Sequence, residues 1–153
     1  CMVSQRTSDP PMAVQVQAFN IFDKIRAVDG AMTPRRQTHI YECHPELAFW
    51  ALNRHQAMSD PKKRGSRPFK PGIAARRRLL VHDVQYPRAL LADKSIPHRH
   101  ENLSVAIDDV LDAAVCAWSA KRIYMGEGQC FPDRSRPGAP FVDARGLKME
   151  IWC

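Results

Sequence analysis

The sequence has no pair of cysteines in CxxC spacing, so a zinc ribbon or a thioredoxin-like motif has no support. Its cysteines, Cys1, Cys43, Cys116, Cys130 and Cys153, are scattered and odd in number. No apolar run follows the few charges of CMVSQRTSDPPM, which excludes a secretory signal there. Reduced thiols and a cytoplasmic setting are therefore expected. No stretch approaches the ~20 uncharged apolar residues of a membrane span. GxGxxG, a Walker loop and a G-x-S-x-G elbow are all missing, which removes the common nucleotide-binding and serine-hydrolase signatures. No internal repeat is present. The chain opens on Cys1 rather than Met, which raises the expectation of a piece of something longer.

What is present suits one globular domain. The 153 residues are 44% hydrophobic and 25% charged, enough apolar material for a buried core. We expect a single domain over 1–153, with 1–13 as a loop or ragged start. The charge is unbalanced: 23 Lys plus Arg against 16 Asp plus Glu give +7. A polyanion such as nucleic acid, or an anionic membrane surface, is the usual partner for such an excess, although many basic proteins have none.

Periodicity places the elements. Val14, Ala18, Ile21, Phe22, Ile25 and Val28 recur at helical spacing and predict a helix with one apolar stripe, ended by Asp29-Gly30. Thr38 to Cys43 (THIYEC) reads as a short strand. Pro45 suits the first turn of the short helix that follows, Glu46 to Asn53. Residues 61–80 (PKKRGSRPFKPGIAARRRLL) carry eight basic residues and no acidic one. Their first half, rich in Pro and Gly, predicts a mobile loop, and Ile73 to Val81 a helix with Arg76, Arg77 and Arg78 near its start. Residues 83–100 suggest only a helical turn around Arg88 to Leu91. The longest helix is expected from about Ser104 to Tyr124, burying Ile107, Leu111, Ala114, Val115 and Trp118, with Cys116 as a small packing residue. Leu147 to Trp152 alternates like a strand.

Two acidic groups could carry chemistry. Asp108, Asp109 and Asp112 lie within about one turn of the long helix, and Asp109 and Asp112 share a face. On a solvated surface such a cluster costs little, and a first turn favours negative charge. Its functional reading is a site for a hard divalent cation, Mg²⁺ or Mn²⁺, that activates water and stabilises a leaving oxygen of a phosphodiester. Glu42 ends the THIYEC strand, where a carboxylate can point into a cleft. Glu46 fits helix capping as well as metal chemistry, and His44 fits a structural turn as well as a supporting role. His98 and His100 declare no third ligand and read as a solvated loop.

Together these strings resemble a family of predicted RNase H-like nucleases that is otherwise a domain of unknown function. The matching stretches are QVQAFNIFDKIRAVD (15–29), YECHPELAFWALN (41–53), Lys62-Lys63 followed by GIAARRRLL (72–80), DDVLDAAVCAWSA (108–120) and DARGLKMEIW (143–152). The resemblance implies an α/β, RNase H-like mixed sheet with helices on both faces and a catalytic layout like that of Holliday-junction resolvases. Glu42 matches the strand glutamate, and Asp109 with Asp112 match the helical pair. Asp108 would join them in binding Mg²⁺ or Mn²⁺, with His44 and Glu46 in support. Lys62, Lys63, Arg76, Arg77 and Arg78 would hold nucleic-acid phosphates. The family's first strand and its leading Asp have no counterpart here, since only Asp9 precedes residue 14, in SDPPM. GSRPFKP is an insertion relative to the family. The expectation is therefore part of a metal-dependent nuclease that lacks its first catalytic strand. The alternative is a non-catalytic RNase H-like nucleic-acid-binding or interaction module.

Overall fold

The structure, a computed structural model, describes residues 19–65, 67–91 and 105–153. The predicted helical start at Val14, Asp9, and the histidines at 98 and 100 lie outside the described residues. The described residues fall into two compact units. One holds those up to Ile40 together with Val142–Lys148, and the other holds Tyr41–Phe141 with Met149–Cys153.

In the first unit, helix α1 spans Phe22–Ala31, and a 3-10 turn follows over Arg36–Thr38. The apolar stripe of α1 is not a core: none of its residues is buried, and Ile25 and Val28 are exposed. Polar contacts hold this unit instead. Arg145 pairs with Asp29 at 2.7 Å and donates to the backbone carbonyls of Asp29 and Met32. The Gln37 amide reads the backbone of Lys148 in both directions, at 3.0 and 2.8 Å.

The second unit carries the hydrophobic core. Helix α2 spans Pro45–Leu52, α3 spans Lys70–His82 and α4 spans Ile107–Tyr124, with a 3-10 turn at Arg88–Leu91 where a helical turn was expected. Helix α4 packs against both α2 and α3. Pro45 occupies the first turn of α2, and Ala48, Phe49 and Leu52 form its buried side. Along α4 the buried positions are Asp108, Leu111, Val115 and Ser119, with Ile107, Ala114 and Trp118 half-buried beside them. The predicted stripe is thus observed in part: Leu111 and Val115 are buried, the other three are half-buried, and Asp108 and Ser119 are buried beside them. Asp108 and Asp109 in the first turn of α4, and Lys121 and Arg122 in the last, complement its dipole.

Strand structure among the described residues is slight. Lys63–Arg64 (β1) pairs antiparallel with Arg67–Pro68 (β2), and Cys130–Phe131 (β3) with Ile151–Trp152 (β4). The first half of the basic segment, predicted as a mobile loop, therefore carries a short hairpin, turned at Gly65, whose φ of 61° is open to glycine at no steric cost. The THIYEC segment is not a strand along its length. Only Cys43 bridges, in parallel, to Trp152, and the Trp152 amide donates to the Glu42 carbonyl at 2.8 Å. Upstream, the Thr38 hydroxyl bonds the Arg35 carbonyl at 2.8 Å, a local bond that competes with a ladder and favours the 3-10 turn. The predicted terminal strand is likewise confined to its last residues, with a lone Val142–Lys148 bridge before it. The molecule is a mixed helix and small-sheet structure, and no larger sheet occurs among the described residues. None of their helices is long and apolar enough to cross a membrane.

Candidate carboxylate and lysine cluster

The site begins with a glycine. On α3, Gly72 lies against the backbone of Asp60 and Pro61 so closely that any β-carbon would collide with the Pro61 carbonyl. One turn later, the guanidinium of Arg76 donates to the carbonyls of Asp60 (2.9 Å) and Gly72 (3.0 Å). These two residues fasten the chain just before Lys62 onto α3. Lys62 then extends between α2 and α4. Its Nζ lies 2.7 and 2.6 Å from the two carboxylate oxygens of Asp112 and 3.3 Å from Glu46 Oε1. The other Glu46 oxygen accepts from Arg76 at 2.7 Å. Lys63 sits 2.6 Å from Asp108 Oδ2.

Three carboxylates, Glu46, Asp108 and Asp112, thus meet three cations, Lys62, Lys63 and Arg76. Asp108 is 93% buried at its side chain, and its Oδ1 has no hydrogen-bond partner among the described residues. Arg76, 2% exposed, likewise leaves its Nε unpaired there. Burial alone would raise the Glu46 carboxyl. The hydrogen bond and charge of Arg76, with Lys62 behind them, outweigh it and hold that carboxyl below its ordinary value. At Asp112 the balance reverses: burial, helped by the charges of Glu46 and Asp108, overcomes Lys62 and raises the carboxyl. The hydrogen bond to Asp108 raises the Lys63 ammonium, which stays protonated throughout the neutral range.

Of the predicted metal ligands, the structure brings Asp108 and Asp112 into one cluster, with the expected supporting residue Glu46. Glu42 and Asp109 are exposed, as is His44 at the N-cap of α2. Among the described residues, no group of three or more His, Cys, Asp or Glu side chains stands arranged to hold a metal ion. The Lys62 ammonium lies between Glu46 and Asp112 instead, and Lys63 pairs with Asp108. Of the predicted phosphate contacts, Arg76 is buried in the cluster, Arg77 is half-buried and Arg78 is exposed. Exposed Arg64, Arg67 and Lys70 extend the basic surface, with the Arg64 guanidinium 3.8 Å above the Phe69 ring.

Sequence reasoning missed the scaffold of Gly72 and Arg76 and the direct pairing of both lysines. A signal for Asp108 was available: it stands three and seven residues before the core positions Leu111 and Val115, in register with the buried stripe. The Cys116 thiol is not a competitor for the chemistry. Burial, with the Cys43 thiol alongside, pushes Cys116 up to about 12, far from a reactive thiolate.

A family model described as a protein of unknown function, DUF429, matches residues 1–136. No curated protein and no solved structure matches the chain.

Proposed function

This chain belongs to the DUF429 family, and we propose that it carries the helical carboxylates of an RNase H-like, divalent-metal-dependent nuclease that hydrolyses nucleic-acid phosphodiester bonds. The observation that supports this reading is the convergence of Glu46, Asp108 and Asp112 beside a strongly basic hairpin. The donor set suits Mg²⁺ or Mn²⁺, since it is all carboxylate oxygen. The buried, unpartnered Asp108 Oδ1 is an acceptor with capacity to spare. The resemblance gives Glu42, Asp108, Asp109 and Asp112 as the residues that would hold the ion, with Glu46 in support. Such an ion supplies an activated water and charge stabilisation at the phosphate.

The protein's own groups do the rest. Arg76 fixes the Glu46 carboxylate in one orientation and keeps it ionised. Arg64, Arg67, Lys70 and Arg78 offer exposed positive charge to the phosphate backbone, giving affinity without sequence choice. The test is Mg²⁺-dependent cleavage of labelled DNA and RNA. Cleavage is expected from the wild type and lost in Asp112→Asn. Cleavage that survives this substitution overturns the assignment.

A second reading, a non-catalytic nucleic-acid-binding module, is favoured by one observation. Lys62 and Lys63 already neutralise the carboxylates. It predicts salt-sensitive nucleic-acid binding that Asp112→Asn leaves intact, with no cleavage by the wild type.

A further inference from the structure

The register of the basic hairpin sets Lys63 opposite Pro68 and Arg64 opposite Arg67. The Phe69 amide donates to the Lys62 carbonyl at 2.7 Å and carries the pairing one step further. Side chains alternate between the faces of a strand, so Arg64, Arg67 and Phe69 share one face and Lys63 takes the other. On the shared face the Arg64 guanidinium lies 3.8 Å from the centre of the half-buried Phe69 ring, close enough for a face-on stack. The root of this stack is fixed, since Lys62 is held by Asp112 and Glu46 through its ammonium and by Phe69 through its carbonyl.

We infer that the Arg64–Phe69 stack is a platform for an unpaired nucleobase, with Arg67 and Lys70 taking the flanking phosphates, so that the chain binds single-stranded DNA or RNA in preference to duplex. The inference rests on the nucleic-acid reading proposed above and narrows its substrate to a single strand. Three features support it. Arg64 is exposed, and a guanidinium already lying on a ring presents its outer plane to a base, as an ammonium cannot. Arg64 and Arg67 are like charges directly opposite each other, and no carboxylate pairs with either among the described residues. Such a pair is destabilising by itself, and a bound anion removes the penalty. Exposed Lys70 follows Phe69 and adds a third positive charge beside the ring. A duplex covers both faces of every base with its neighbours and offers this surface its phosphates alone, whereas a single strand offers phosphates and a free base together.

The test is fluorescence anisotropy with a labelled single-stranded DNA, the RNA of the same sequence and the corresponding DNA duplex, at one salt concentration and then across a salt series. Wild type is expected to bind at least one of the single strands about tenfold more tightly than the duplex. Arg64→Lys keeps the charge and loses the plane. It is expected to weaken single-strand binding about tenfold, to leave duplex binding unchanged and to leave the salt slope unchanged. Arg64 is exposed, so the substitution spares the core, and circular dichroism checks that the fold is kept. Single strands and duplex bound alike, or an Arg64→Lys effect that is absent or equal on both, overturns the platform and leaves the nucleic-acid reading standing. No binding of any of the three overturns both.

Discussion

Glu46 and Asp112 share a lysine, yet their surroundings move the two carboxyls in opposite directions. The difference lies in Arg76, which donates to Glu46 alone of the pair. Linkage turns this into a measurable pH dependence. Glu46 is lowered in the fold, so the stability it contributes is present above the ordinary glutamate range and is lost as the pH falls through its depressed value. Asp112 is raised, so the folded state keeps its proton longer, and stability falls as the pH climbs from the ordinary aspartate range through the raised value. Urea midpoints followed against pH should show that Glu46→Gln flattens the acid loss, while Asp112→Asn removes the decline on the other side.

Among the elements, α3 sets the site by its backbone. Gly72 is buried, and its missing side chain is filled by the Pro61 carbonyl. Alanine is the better helix former, but here it forces the Asp60–Pro61 segment away and takes Lys62 with it. Gly72→Ala is expected to cost about 1–3 kcal/mol by overpacking, measured by chemical denaturation, despite its gain in propensity. This contact was not legible in the sequence. GIAARRRLL announces a helix, but three consecutive arginines look alike until the register is known, and the register puts the first of them inside. The α4 stripe was legible because its apolar spacing is repeated and long, whereas for α2 only a short helix was legible. The THIYEC strand and the hairpin were not. A strand-like composition yields to local hydrogen bonds where a single bridge is all the pairing on offer, and Pro/Gly punctuation marks a turn without saying that its flanks pair.

Taken as a whole, the molecule separates its charges. The three carboxylates of the cluster balance Lys62, Lys63 and Arg76, so the excess of +7 belongs to residues outside it. Nucleic-acid affinity should accordingly follow the exposed basic residues in its response to salt. Arg64→Glu/Arg67→Glu is expected to weaken DNA binding and to lower the slope of log affinity against log salt by about 2, read by fluorescence anisotropy. The acidic triad was legible only in part. The helix carried Asp108 and Asp112 in plain view, whereas the pairing of Glu46 with Lys62 and Arg76 depends on which helices pack together, and no local pattern encodes that.

Ser119 gives the same molecule a reserve. Its side chain is fully buried on α4, and its hydroxyl finds no partner among the described residues. A methyl there sheds that unmet polarity, so Ser119→Ala should raise the melting temperature, a gain of about 1 kcal/mol. A hardened background of this kind would let the harsher replacements around Lys62 and Gly72 be purified and compared without collapse of the host.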